Sequence, residues 1–449
     1  MRRDRLRDRS PGKGIGLAAA VTVLAAAVLV AGVLVVLRGD DDDREMETAG
    51  ARSTTTPPAA APLTTSTSTS DTQPATTAPP LPTTTTTGAA PTTTTTIPPA
   101  PTTAPSAPAP PPCASALDAI AQWPLRRRLA ALVMVGVDPS GSGEARQVVD
   151  EHHVGGLFVR GATGLYTSGA LQDLRAESPT GLMVSVDEEG GRVQSIEDLD
   201  GDVPSARDMA ATMTPAEVTE LARRRARVMA EHGITVDLAP VVDVSDQPDR
   251  TVIGDRSWSD DPQTVVAYAG AYADGLRLEG ITPVLKHFPG HGSGSGDSHQ
   301  GVTTTPSLDA LRQRDLLPYD DLLPRLGTTT GVMLGHLDVP GLTEDGTPTS
   351  LSPATVRLLR DEYGFGGVIM TDDLAAMGAI TARFGVVEAA VRALDAGVDM
   401  VVLIDVDLDA LLDEMEAAVG DGRLDSSAID ASVARTLALK GIDACTVRL

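Results

Sequence analysis

The chain is poor in lysine and cysteine. Its 449 residues include three lysines, Lys13, Lys286 and Lys440, and two cysteines, Cys113 and Cys445; arginine supplies nearly all of the positive charge. It has no G-x-S-x-G run, which argues against a serine hydrolase built on a nucleophile elbow. It also lacks the glycine fingerprint that would mark a nucleotide site on an open doubly wound sheet. No cysteine follows the N-terminal apolar run closely, so a lipid-anchored lipoprotein is not expected. Positive charge is scarce as well. The net charge is −25, and residues 1–112 sum to zero, so the excess belongs to the rest of the chain. An acidic domain of this kind argues against nucleic acid or anionic lipid as its partner.

What is present falls into four parts. Residues 1–13 form a basic flank. Residues 14–38 contain the apolar run Ile15–Leu37, long enough to cross a bilayer, followed by Asp40–Asp43. This charge asymmetry predicts a cytoplasmic N-terminus and an extracytoplasmic remainder, with the run as a membrane anchor; the alternative is a signal peptide that is cleaved to release a secreted protein. Residues 39–112 are an acidic and then Thr/Pro/Ala/Ser-rich linker. From 53 to 112 it carries Asp71 as its one charge and no apolar periodicity, so it is expected to be a disordered tether. Residues 113–449 are the globular domain. Cys113 and Cys445 bracket that domain, and an oxidising compartment would allow them to staple its two ends together.

The domain repeats one pattern. Short β-branched runs begin at Leu132, Val154, Leu182, Ile234, Ile281, Thr330, Gly366 and Val398, and longer stretches of helical periodicity such as "PAEVTELARRRARVMAEHG" separate most of them. Eight strand–helix units over this length predict a single (β/α)8 barrel. Asp187, Lys286, His287, His336 and Asp372 each stand where a strand runs out. In a barrel such positions meet on the C-terminal face, where barrel enzymes work.

The segment "KHFPGHGSGSGDSHQ", residues 286–300, holds three of the seven histidines. Its glycine and serine content predicts a mobile loop that presents ionisable side chains. In an extended D-S-H, Asp297 and His299 point the same way. Asp297 then holds one imidazole nitrogen and leaves the other to exchange a proton with substrate. Lys286 stands out on internal evidence, because the sequence otherwise prefers arginine. His291 fits either loop structure or substrate contact, and His336 is expected to line the site. Glu188 and Glu189 are assigned no chemistry.

This loop resembles the signature of bacterial β-N-acetylglucosaminidases of glycoside hydrolase family 3. "VDEEGGRVQ", "DLAPVVDV", "VIGDRSWSDDP", "GHLDVPGLT" and "GVIMTDDLAAMGA" are similar to further motifs of that family, in the same order, and the resemblance covers essentially all of 120–440. It implies a retaining exo-β-N-acetylglucosaminidase that acts on terminal N-acetylglucosamine of peptidoglycan fragments and needs no cofactor. Asp372 would be the nucleophile and His299, oriented by Asp297, the acid/base, while Asp187, Arg256, Lys286 and His287 would hold the sugar hydroxyls. Asp373 would cap the following helix. One departure is Ser195, where the family usually has Arg. Two rival readings are a metal-dependent hydrolase using His287, His291 and His299, and a non-catalytic wall-binding module. The helix break at Pro289 and Gly290 counts against the first.

Overall fold

The computed structural model describes residues 115–161 and 164–449. The basic flank, the apolar run, the tether and Cys113 lie outside the described residues. Among those that are described, no helix is long and apolar enough to cross a membrane. Cys445 sits in the short turn Ala444–Thr446, and no described cysteine is a free thiol.

All eight expected strands form. They are β1 Val133–Val137, β2 Gly156–Val159, β3 Met183–Val186 and β4 Val236–Asp237. β5 Thr282–Phe288, β6 Gly331–Leu334, β7 Val368–Asp373 and β8 Met400–Leu403 complete the set. Each pairs in parallel with its neighbour in sequence, and β8 closes on β1, with Val133 opposite Val401. The strands are buried on both faces, which is why they read as continuous apolar runs rather than alternating ones.

The alternation is still at work inside the barrel. In β1, Met134 joins an inner ring with Phe158, Met183, Val284, Met333 and Met370, while Val133, Val135 and Val137 pack outward against the helices. Met400 is also in this ring, so methionine recurs at its centre. An unbranched, polarizable side chain fills the irregular space that a closed barrel leaves. The Met134 sulfur also accepts a bond from the Ser185 hydroxyl at 3.0 Å.

The helices follow from their end signals. The helix Pro215–Glu231 starts with a complete capping box: Thr214 accepts from the Glu217 N–H, and the Glu217 carboxylate accepts from the Thr214 N–H. It stops at Gly233, where φ is +83° and a Cβ would be strained. Its buried face carries Arg225, whose side chain is 0% exposed and donates to Glu188, also 0% exposed, at 2.6 Å. Glu188 in turn accepts the Ser195 and Ile196 N–H groups at 2.9 and 3.0 Å. This pair fixes the segment that follows β3 to the outer helix.

Removing one partner of such a pair strands the other charge in the interior. Arg225→Met should therefore destabilise the domain by about 3–5 kcal/mol. Denaturant unfolding measures this, and a loss below about 1 kcal/mol, the range of exposed pairs, would show that the pair does not hold the segment.

Candidate active site

The strand ends meet at the C-terminal mouth of the barrel. Asp187 follows β3, Lys286 and His287 lie in β5, Asp372 lies in β7, and Arg256 ends the turn Gly254–Arg256. All five, with His299 from the loop after β5, line one cavity of about 150 Å³. A larger cavity of about 390 Å³ lies at the opposite end of the barrel, beside Thr235, Thr282 and Lys440. It has few ionisable groups, and barrel chemistry belongs to the C-terminal face. The Lys440 Nζ there donates to the carbonyls of Gly181 and Thr180, at 3.1 and 3.5 Å, as a structural tie.

The charged walls of the smaller cavity form a connected set. Lys286 Nζ is 2.5 Å from Asp187 Oδ1 and 2.6 Å from Glu189 Oε1. Glu189 also receives Arg256, Nε to Oε2 at 2.6 Å and Nη2 to Oε1 at 2.8 Å. Burial works against each of these ions, but their mutual attraction outweighs it. Glu189 is held well below the usual carboxylate range and Lys286 and Arg256 well above their ordinary values. All three are therefore fully charged. Glu189, assigned no chemistry from the sequence, is the anion on which two of the cavity's cations rest. The ladder between β5 and β6 shifts register between Leu285 and Phe288, at the residues that face the cavity.

His287 is oriented from behind. Its Nδ1 is 2.7 Å from Asp243 Oδ2, which leaves Nε2 facing the cavity, 3.4 Å from Arg256 Nη2. Asp243 is also missing from the sequence-level site. It is 1% exposed, and although burial pushes its carboxyl up, its pairing with His287 brings it below the ordinary value.

Asp372 and Asp373 both border the cavity but differ in what they bind. Asp373 binds its surroundings through three backbone N–H groups, those of Ala375 and Ile404 to Oδ1 and that of Ala376 to Oδ2, at 2.9–3.0 Å. It caps a turn rather than the start of a helix, because the helical segment begins only at Gly378. Asp372 has one such contact, the Asp373 N–H at 2.8 Å, and faces the cavity. Burial raises its pKa, but His287, His336 and that N–H outweigh burial and hold it below the ordinary carboxylate range.

Three expectations about the histidines change. The 286–300 segment is not a free loop. Phe288, His287 and His291 are buried, and the carbonyl of Gly292 accepts from Ser245 and Gln247 at 3.1 and 3.2 Å. The Asp297–His299 pair forms, Nδ1 to Oδ1 at 2.7 Å, but in a turn rather than an extended run. Asp297 Oδ1 also takes the His299 N–H at 3.0 Å, the Asx arrangement typical of loops. His336 does not line the cavity. It lies beneath the floor, with Nδ1 2.7 Å from Ser350 Oγ and Nε2 2.9 Å from the Asp373 carbonyl. Ser195 is buried, its hydroxyl donating to the Asp187 carbonyl at 2.9 Å, and it is not part of the cavity wall. Arg160 at the end of β2, unremarked in the sequence, lines the cavity instead.

Among the described residues no group of three or more His, Cys, Asp or Glu side chains is placed to hold a metal ion, which counts against the metal-dependent alternative.

Known proteins resemble this chain in sequence and in fold. The model of the glycosyl hydrolase family 3 N-terminal domain matches residues 124–439. The beta-hexosaminidase LpqI of Mycobacterium tuberculosis is 50% identical over 338 residues, which is 73% of this chain and 86% of that protein. The solved structure of M. tuberculosis LpqI superposes with a TM-score of 0.70, covering 74% of this chain and 97% of that one. A family 3 β-N-acetylglucosaminidase from Paenibacillus, 30% identical, gives a TM-score of 0.66 over 73% of this chain and 64% of that one.

Glu189→Gln tests the charge set. It leaves Lys286 and Arg256 as neighbouring cations without the anion between them, so both should shift within the cavity. A displacement of about 1 Å at such a site lowers kcat/KM by roughly 10²-fold. Steady-state kinetics with an activated glycoside measures the loss, and unchanged kinetics would show that Glu189 does not position the cations.

Proposed function

The chain belongs to glycosyl hydrolase family 3 and is a glycoside hydrolase of the β-N-acetylhexosaminidase type, and we propose that it works as a retaining exo-β-N-acetylglucosaminidase on peptidoglycan-derived glycans. The observation that carries this reading is that Asp372 and His299 share one cavity whose remaining polar walls are suited to sugar hydroxyls. Asp187, Arg256, Lys286 and His287 supply charge-assisted donors and acceptors there, the kind that fix a hydroxylated ring in one orientation. The cavity is well below the roughly 300–1,000 Å³ of pockets for larger ligands. It suits a single terminal sugar rather than the interior of a chain, hence exo action.

The reaction follows from the two groups. Ionised Asp372 attacks the anomeric carbon as the bond to the leaving oxygen breaks, and His299 delivers its Nε2 proton to that oxygen. Asp297 holds Nδ1 and stabilises the ring in its charged form. In the second step neutral His299 takes a proton from water, the water oxygen bonds to the anomeric carbon, and Asp372 leaves as a carboxylate. Two inversions give net retention. Most retaining glycosidases use two carboxylates; here an imidazole serves in both directions.

The tether and apolar run ahead of the domain fit a membrane-anchored, extracytoplasmic setting, where a wall glycan is within reach. That part of the proposal rests on the sequence alone.

A chromogenic β-N-acetylglucosaminide and the matching β-glucoside, assayed side by side, test the specificity. The proposal expects turnover of the first and little of the second. Equal turnover, or turnover of the glucoside alone, would overturn it.

A further inference from the structure

Two exposed side chains carry the proposed proton transfer, and the residue between them is buried. The Asp297 and His299 side chains are 34% and 57% exposed, whereas Ser298 is 2% exposed. Its hydroxyl lies 3.0 Å from Nε2 of His291, a ring that is itself 2% exposed. His291 is anchored in turn, its backbone N–H donating to Asp243 Oδ1 at 2.6 Å. That is the same carboxylate that holds His287. Burial brings the His291 pKa down to about 4, so the ring stays neutral in mild acid.

The other side of Ser298 meets the segment that follows Asp372. The Ala379 N–H donates to the Ser298 carbonyl at 3.0 Å, and the Gly378 N–H donates to the His299 carbonyl at 3.1 Å. This approach needs a residue without a side chain. A Cβ at Gly378 would stand 2.8 Å from the His299 carbonyl oxygen and 2.8 Å from the Gln300 carbonyl carbon, both backbone atoms. Glycine there serves a close backbone approach.

We infer that Ser298 is a positioning residue that latches the Asp297–His299 turn in place, through His291 on one side and the Gly378–Ala379 amides on the other. The latch ties the proton-transfer loop to two elements of the site: β5 with its Asp243 support, and the chain leaving the Asp372 strand. It therefore sets where His299 stands relative to Asp372. Ser298 and Gly378 are not among the residues that line the cavity. The inference rests on the reading of His299 as the acid/base.

Leaving-group dependence separates this role from mere loop stability. A misplaced acid hurts a substrate that must be protonated to depart and spares one that need not be. The test measures kcat/KM for an alkyl β-N-acetylglucosaminide and for the 2,4-dinitrophenyl glycoside, in wild type, Ser298→Ala, Gly378→Ala and His299→Ala, with circular dichroism to check the fold. Ser298→Ala and Gly378→Ala should each lower kcat/KM for the alkyl glycoside by about 10–100-fold, within the range of acid catalysis and misplacement. The dinitrophenyl value should change by less than about 3-fold, since that leaving group needs no proton. Ser298→Ala removes one hydroxyl and adds no bulk, so it carries the test should Gly378→Ala fail to fold. If His299→Ala separates the two substrates and Ser298→Ala does not, the latch is wrong and the acid/base reading stands. If His299→Ala lowers both substrates equally, the acid/base reading falls and the latch falls with it.

Discussion

The site depends on one buried carboxylate. Glu189 accepts Lys286 and Arg256 together, with three N···O contacts of 2.6–2.8 Å. Two cations taken out of water beside one another repel and lose hydration; the anion between them makes the arrangement stable and keeps both charged. Asp187 can then bind Lys286 and still face the cavity, 29% exposed. The polar surface proposed to hold a sugar thus rests on a residue hidden beneath it. Glu188, the adjacent carboxylate, turns the other way and ties this segment to Arg225 on the outer helix. Two consecutive acids anchor the cavity-facing strand end from both sides.

Asp243 plays the corresponding part for the histidines. One carboxylate orients His287 toward the cavity and fixes the backbone of His291, which reaches the proton-transfer loop through Ser298. The wall of the cavity at His287 and the Asp297–His299 turn therefore share a support. His336 completes the arrangement from below, bonded to the carbonyl of Asp373, so the strand bearing Asp372 is held at its end. Asp372 itself is left with one backbone contact, and His287, His336 and that contact together outweigh burial and favour its ionised form. The proposed nucleophile needs that state.

Much of this was legible in the chain. The eight barrel strands stand out because each is buried on both faces, so β-branched runs such as "LVMVGVD" are unbroken. The gathering of Asp187, Lys286, His287 and Asp372 follows from their places at strand ends. Glu189 and Asp243 were not legible as supports, because the partner that decides their role is remote; Arg256 is 67 positions from Glu189. An acidic pair after a strand reads equally well as a solvated rim. His336 misled for the opposite reason: a strand end sets height on the barrel, not whether the ring faces the cavity or the layer beneath it. The histidine loop reads as mobile from its glycines, yet those glycines let backbone pack closely. Gly292 would place a Cβ 2.1 Å from the Val244 carbonyl oxygen.

Asp372 is proposed to form a covalent bond to the sugar, while Asp373 serves the backbone. Incubation with a 5-fluoro derivative of the N-acetylglucosaminyl fluoride, followed by peptide mass mapping, tests it most directly, because slow deglycosylation lets the adduct accumulate. The account predicts one sugar per chain, attached to Asp372, with loss of activity in step with labelling. A label on Asp373, or no adduct together with an inverted anomeric product, would contradict it.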